Sequence, residues 1–272
     1  MKTRIMTGAI LAILLIPLLF VPPRVFYIAM LMIMGIAFLE VVFVVKKKEA
    51  VHRFWMILFP IFGLLVYSLF LLVYFGILSI LYIYVAFFLM MMFLWLGYIF
   101  DEKSKVSTLG SLFLMTLYIS LGFFAISVIR SYGLGMLVYL LMLAMLTDIF
   151  AYFSGYLFGK RKLAPLISPK KTVEGAIGGT LISVLIASLF AGFMSIFPYR
   201  LVVLIPLLVV SGVVVSFLAQ CGDLLASKFK RSYEVKDFSS LLPGHGGIMD
   251  RFDSSLFAAI ALAFVLFVLE VF

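Results

Sequence analysis

Carboxylates at two places in the C-terminal part of the chain have the spacing of a divalent-cation site. Asp223 lies in an otherwise apolar run, and Asp250 and Asp253 directly precede another apolar run. On a continuous helix Asp250 and Asp253 share a face, as do Asp223 and Lys230. Mg²⁺ takes one or two carboxylates and completes its shell with water and substrate phosphate. Spacing alone leaves open a solvated loop whose charges pair with each other.

The polar stretch around these carboxylates also suits phosphate. Residues 221–254 hold ten charged side chains in a chain that is only 12% charged. Between the carboxylates, the glycine-rich segment at residues 243–247 (PGHGG) supplies backbone N–H groups that can approach a phosphate closely. We interpret this stretch as a magnesium and phosphate site at a membrane surface.

A second polar segment lies upstream. Pro165 and Pro169 give the loop 159–172 a defined shape, and Thr172 starts the next helix with a capping hydroxyl and free backbone donors, which suits phosphate. Five basic residues lie in or beside this loop: Lys160, Arg161, Lys162, Lys170 and Lys171. These residues could instead set membrane topology or contact anionic lipids. Asp148, inside an apolar run, must face inward, for function or for pairing with a neighbouring helix.

Composition assigns the chain to the polytopic membrane proteins. The chain is 66% hydrophobic with a mean hydropathy of +1.29. Continuous apolar runs exclude a water-soluble fold and a transmembrane β-barrel and predict an all-α membrane protein. Cys221 is the single cysteine, which excludes an internal disulfide framework and a cysteine metal site. The net charge of +9 is scattered over short loops, so we expect no nucleic-acid partner.

We predict about nine transmembrane helices of roughly 20 residues each. The run at residues 54–100 is too long for one span, and Gly76 is the predicted break. The predicted spans are residues 5–21, 24–45, 54–74, 77–100, 106–129, 135–158, 173–197, 201–227 and 252–272.

The distribution of charge predicts the orientation and the location of the site. Connections on one side carry 16 of the 21 Lys and Arg residues, and the other side has the remaining five, Lys2, Arg4, Arg24, Arg130 and Arg200. The positive-inside rule then predicts an outside N-terminus and a cytoplasmic C-terminus and active site. We divide the chain into an N-terminal scaffold at residues 1–130, with about five spans, and a C-terminal catalytic region at residues 131–272, with about four spans and cytoplasmic loops 159–172 and 228–251.

The C-terminal half resembles a known enzyme family. The segments SKFKR at residues 227–231, KD at 236–237 and LPGHGGIMDRFD at 242–253 resemble the signature of the CDP-diacylglycerol synthases, the phosphatidate cytidylyltransferases. Asp148, Tyr152, Gly159, Lys160, Pro165, ISPKKT at residues 167–172 and Glu174 with Gly175 are similar to the upstream region of that family. Tyr156 departs from the pattern, because a basic residue is expected there.

The resemblance implies transfer of CMP from CTP to phosphatidic acid, which gives CDP-diacylglycerol and pyrophosphate in phospholipid biosynthesis. It implies Mg²⁺ as cofactor and leaves open a monovalent cation such as K⁺ beside it. The expected partners are CTP, phosphatidic acid and bilayer lipid. The expected location is the bacterial inner (cytoplasmic) membrane.

The resemblance also implies roles for individual residues. Asp223 and Asp250 are the expected main metal ligands, and Asp253 is a further ligand or a neighbouring carboxylate. The expected catalytic residues are these three together with Lys228, Lys230 and Arg231. The expected substrate-binding residues are Ser168, Lys170, Lys171, Thr172, Lys160, Asp148, His245 and Arg251.

Two other functions fit parts of the sequence. A CTP-using lipid-alcohol kinase would bring the same nucleotide to a membrane substrate but would release CDP rather than pyrophosphate. An ion-coupled transporter would also carry intramembrane acids, although its charges would lie near the middle of the membrane. GxxxG pairs at Gly155 with Gly159 and at Gly175 with Gly179 favour close helix packing, and they allow a homodimer.

Overall fold

A computed structural model describes residues 2–194, 196 and 201–271 of the protein. Within these residues the chain forms nine α-helices and one two-stranded antiparallel β-hairpin. In chain order they are α1 Lys2–Phe20, α2 Pro23–Lys48, α3 Arg53–Tyr74, α4 Leu81–Phe100, α5 Val106–Ser131, α6 Leu134–Phe158, β1 Lys162–Ala164, β2 Ser168–Thr172, α7 Val173–Phe193, α8 Leu201–Ser232 and α9 Met249–Val271.

The helices confirm an all-α polytopic membrane protein. In the described part of the chain, eight helices, α2 to α9, are long and apolar enough to cross a membrane. The first helix contributes a shorter apolar stretch, Thr7–Phe20. In lipid the backbone must satisfy its own hydrogen bonds, which is why these continuous apolar runs are helical.

The predicted break in the long apolar run is confirmed. α3 ends at Tyr74 and α4 begins at Leu81. Gly76 lies between them with φ +70°, a left-handed conformation that glycine adopts at little cost. The predicted seventh span runs beyond the end of α7 at Phe193, and Arg200 and residue 197 lie outside the described residues.

The sequence did not predict the hairpin of β1 and β2. It occupies the predicted loop 159–172, with Lys162 opposite Thr172 and Ala164 opposite Ser168. The second predicted loop, 228–251, is also partly helical, because α8 continues to Ser232 and α9 begins at Met249. Basic residues in the last turn of α8 interact favourably with the negative end of the helix dipole.

The helices form two compact units. One comprises Met1–Phe124 and Tyr233–Asp250, and the other comprises Ala125–Ser232 and Arg251–Phe272. The division into scaffold and catalytic regions at residue 130 stays a prediction, because chain contacts do not report on catalysis.

In the second unit α6 packs closely on α7, as the GxxxG spacing predicts. A Cβ atom at Gly175 would lie 2.6 Å from the carbonyl oxygen of Ala151, and one at Gly179 would lie 2.7 Å from that of Thr147. Only residues without a side chain permit this approach. The close contact fixes the start of α7, and with it the end of the hairpin, against α6.

Hydroxyl groups connect α8 to the same helix pair. The Thr147 hydroxyl lies 2.9 Å from that of Ser183 and 2.7 Å from that of Ser216. Nearer the hairpin, the Gln220 side-chain amide donates to the Thr180 hydroxyl at 3.0 Å. Hydrogen bonds between helices hold polar side chains that lipid could not satisfy, so α6, α7 and α8 form one packed group.

Candidate active site

The second unit contains a cavity of about 530 Å³ beside the hairpin. Its wall is formed by α6, the hairpin, the start of α7 and Gln220 of α8. The volume lies in the range of small-molecule sites. The cavity brings together five of the predicted substrate-binding residues, Asp148, Ser168, Lys170, Lys171 and Thr172.

An ion pair between the hairpin and α8 lies at this cavity. The Lys171 ammonium contacts the Asp223 carboxylate, and the two side chains are 23% and 24% exposed. Partial burial strengthens such a pair, because less water screens the charges. Lys171 therefore joins the predicted phosphate-binding loop to the predicted metal-binding aspartate.

Three carboxylates interact electrostatically in the second unit. Asp148 of α6, Asp223 of α8 and Asp253 of α9 lie close enough for mutual repulsion. Lys171 acts on Asp148 and Lys230 acts on Asp253 as opposing positive charges. Asp253 and Lys230 are each 8% exposed. The cluster therefore contains three acids and two ammonium groups.

This cluster fits a divalent cation in its donor type and its charge. Its excess of carboxylate over ammonium groups suits Mg²⁺, a hard cation that prefers oxygen ligands. Among the described residues, no group of three or more His, Cys, Asp or Glu side chains is arranged to hold a metal ion. Mg²⁺ does not require such a group, because water and phosphate complete its shell. The predicted roles of Asp223 and Asp253 as metal ligands stay predictions.

Glu174 and Thr172 anchor the hairpin to the start of α7. The Glu174 carboxylate accepts hydrogen bonds from the backbone N–H groups of Lys160 at 2.9 Å and Arg161 at 3.1 Å. The Thr172 hydroxyl accepts from the N–H of Gly175 at 3.1 Å and caps the helix, as predicted. Lys160, predicted to bind substrate, is exposed and does not line the cavity.

Other predicted residues lie on exposed positions. Lys228 and Arg231 are exposed in the last turns of α8, and Arg251 is exposed near the start of α9. These three do not line the cavity, so their contact with phosphates stays a prediction. Tyr152 and Tyr156, which were absent from the predicted binding set, do line it.

The first unit contains the glycine-rich segment and Asp250. One oxygen of Asp250 accepts from the N–H groups of Phe238 and Gly247, each at 2.8 Å. The carboxylate thus holds the two ends of the intervening loop together, and its predicted role as a metal ligand stays a prediction. Nδ1 of His245 is buried and has no hydrogen-bond partner among the described residues.

Glu40 of α2 contacts the same loop, and sequence reasoning missed it. Its carboxylate accepts from the Ser239 hydroxyl at 2.6 Å and from the N–H groups of Ile248 at 2.9 Å and Met249 at 2.8 Å. The available signal was that Glu40 is the lone acidic residue within the first five predicted spans. We interpreted those spans as scaffold.

Comparison with known proteins places the chain in a family. A model of the cytidylyltransferase family matches residues 2–269. The phosphatidate cytidylyltransferase of Bacillus subtilis (strain 168) is 36% identical over 275 residues, which cover 98% of this chain and 97% of the relative. Phosphatidate cytidylyltransferases of Staphylococcus haemolyticus (strain JCSC1435) and Staphylococcus aureus (strain COL) are 41% and 40% identical over 169 residues. The chain spans 63% of the length of these staphylococcal relatives. Because the family model covers nearly the whole sequence, this chain belongs to the cytidylyltransferase family.

Proposed function

We propose that this integral membrane protein transfers CMP from CTP to phosphatidic acid and releases pyrophosphate. The observation that carries the proposal is the match to the Bacillus subtilis phosphatidate cytidylyltransferase over 98% of the chain. The cavity agrees with this chemistry, because lysines suited to phosphate and carboxylates suited to a cation meet in one membrane unit. The product would be CDP-diacylglycerol.

The reaction needs charge neutralisation more than it needs a base. A phosphatidate oxygen attacks the α-phosphorus of CTP, the bond from that phosphorus to the bridging oxygen breaks, and pyrophosphate leaves. A phosphomonoester has a second pKa of about 6, so this oxygen is already ionised near neutral pH. Two anions must nevertheless approach each other, so catalysis rests on positive charge and positioning.

The residues around the cavity have separate roles in this proposal. Lys170 and Lys171 bind phosphates, with the hydroxyls of Ser168 and Thr172 beside them. Asp223 and Asp253 would hold Mg²⁺, and Asp250 is a further candidate ligand. When bound, the metal neutralises charge on the phosphates.

The proposal places the reaction at the cytoplasmic face of the bacterial inner membrane. The basic residues of the loop 159–172 support this, because positive charge concentrates on cytoplasmic connections. CTP would reach the cavity from the cytoplasm. Phosphatidate would enter from the bilayer and leave its acyl chains in lipid.

Pyrophosphate release by the purified protein in detergent micelles tests the proposal. We expect release to need CTP, phosphatidate and Mg²⁺ together, and the Asp223→Asn variant to lose at least about 99% of it. The matched control is Glu102→Gln, which changes an exposed acid in the loop between α4 and α5 and should keep wild-type activity. Release of CDP with a lipid alcohol would identify a kinase instead, and folded protein without CTP turnover would exclude both activities.

A further inference from the structure

A buried acid in α2 is unusual for a membrane helix and requires an explanation. Glu40 is 4% exposed in a helix whose central part is apolar. A carboxylate in such a place is costly unless hydrogen-bond partners compensate for the lost water. The partners therefore indicate what this residue does.

Its hydrogen-bond donors come from the loop that follows α8 and from the first residue of α9. The Glu40 Oε1 accepts from the Ser239 hydroxyl and the Ile248 N–H, and Oε2 accepts from the Met249 N–H. An ionised carboxylate has only acceptor sites and can serve all three donors at once. These donors lie 199 to 209 positions away in the sequence, so local helix packing does not explain the contacts.

The glycine at position 247 is fitted to this carboxylate. A Cβ atom there would lie 2.5 Å from Oε1 of Glu40, which is closer than real Cβ atoms come to any neighbour. Gly246, with φ +77°, would place a Cβ atom 2.7 Å from Oδ2 of Asp250. The glycine-rich segment therefore packs closely against two carboxylates, one from α2 and one from the start of α9.

We propose that Glu40 is a positioning residue that holds the loop at residues 238–249 and, through it, Asp250. Ile248 and Met249 directly precede Asp250 in the chain. Their hydrogen bonds to Glu40 therefore fix the backbone from which the Asp250 side chain extends. Asp250 in turn holds Phe238 and Gly247. The functional part of this inference rests on the proposed activity, in which Asp250 is a candidate metal ligand.

Hydrogen exchange of the full-length protein in detergent tests the contact without reference to activity. The Glu40→Gln variant keeps the size of the side chain but turns one acceptor into a donor. We expect amide exchange at Ile248 and Met249 to rise at least about tenfold, with exchange in α3 unchanged. The matched control is Glu49→Gln at the end of the same helix, where the acid pairs with Lys105 at 3.0 Å. It should leave exchange in the loop at the wild-type rate.

Kinetics of the same variants then test the positioning role. A displacement of about 1 Å costs about 100-fold in rate, so we expect Glu40→Gln to lower kcat about 10- to 100-fold. The Mg²⁺ concentration for half-maximal rate should rise several-fold, the KM for phosphatidate should stay unchanged and the melting temperature should shift by less than about 4 °C. Glu49→Gln should match the wild type in all four values.

Ser239→Ala keeps the test decisive if Glu40→Gln does not fold, because it removes one of the three contacts and leaves the buried acid in place. It should show smaller changes in the same direction. Unchanged loop exchange in both variants would overturn the inference, as would equal acceleration throughout α2 and α3, which indicates general destabilisation. If the wild-type protein itself released no pyrophosphate, the proposed function would fail, while the exchange results would still decide whether Glu40 holds the loop.

Discussion

Lys170 and Lys171 are neighbours on β2 with different surroundings. Both line the cavity, but Lys170 is exposed, whereas Lys171 pairs with Asp223. Successive side chains of a strand point to opposite faces, so the two ammonium groups have different neighbours. Removing one partner of a shielded ion pair also leaves the other charge without its counterion.

Alanine substitution should therefore separate the two lysines. We expect Lys171→Ala to lower kcat/KM for CTP about 100-fold and Lys170→Ala to lower it about tenfold or less. Combining Lys171→Ala with Asp223→Asn should cost less than the sum of the single changes, because both remove the same contact. Equal losses for the two lysines, or strictly additive losses for the pair, would contradict this arrangement.

Asp101 gives a pH-dependent contact outside the site. It follows α4 and accepts from Nε1 of Trp55 at 2.6 Å and from the N–H of Lys103 at 2.9 Å. Burial alone would raise the pKa of the Asp101 carboxyl. Hydrogen bonds from Ser104, Lys103 and Trp55 together outweigh burial and hold this pKa below its ordinary value of 3.8.

The lowered pKa sets the direction of the pH effect. The contact stabilises the fold fully above the unfolded-state pKa, and this stabilisation is lost as pH falls through the lower folded-state pKa. In a Trp95→Phe background Trp55 is the single tryptophan, and its fluorescence should titrate below pH 3.8. Adding Asp101→Asn should abolish that titration, and a transition that survived this change would assign it to another group.

The residues of the site differ in how far the sequence could predict them. The lysines and Thr172 of the upstream segment are close in sequence, and the structure brings Lys170, Lys171 and Thr172 to one cavity. Glu40 could not be assigned in this way, because its partners lie about 200 positions later and only tertiary structure shows the contact.

At the scale of elements, the hairpin is the part that the cavity depends on. It places Lys171 beside Asp223. Glu174 holds the segment just before β1 by accepting hydrogen bonds from the N–H groups of Lys160 and Arg161. A carboxylate that accepts two backbone hydrogen bonds replaces contacts that this short sheet cannot make itself. Loss of that charge should loosen the hairpin before it affects the helices.

Limited trypsin digestion measures this loosening, because Lys160, Arg161 and Lys162 are cleavage sites at the start of the hairpin. We expect Glu174→Gln to speed cleavage there several-fold, since locally opened segments are cut first. The control is Glu234→Gln, which removes an exposed ion pair with Lys48 elsewhere in the chain and should leave the hairpin rate unchanged. Equal rates of hairpin cleavage in the wild type and Glu174→Gln would show that the Glu174 carboxylate does not hold the hairpin.

The helices were predictable and the hairpin was not, for a physical reason. A membrane span must be long and apolar, and this pattern located eight of the observed helices within a few residues at most boundaries. The strands have only three and five residues, and the longer one is polar and contains Pro169. They lack the alternating apolar pattern that predicts a strand, so their pairing depends on Glu174 and on the helices around them.

At the scale of the whole molecule, charge is the source of the predicted orientation. The connections after α2, α4 and α6, together with the helix ends beside them, carry 11 of the 21 Lys and Arg residues, whereas Arg130 in the last turn of α5 is the single basic residue beside the turn between α5 and α6. Lys and Arg are retained on the cytoplasmic side during insertion. The two ends of α5 should therefore face different compartments, with its N-terminal end inside.

Single-cysteine labelling in intact cells tests this orientation. The background is Cys221→Ser, which removes the single natural cysteine. Glu102 precedes α5 and Ser131 is its last residue, and both are exposed. A membrane-impermeant maleimide should label Ser131→Cys in intact cells and should label Glu102→Cys only after the cells are opened. The reverse pattern would move the basic hairpin to the outer face, away from CTP, and the proposed cytoplasmic reaction would then fail with the topology.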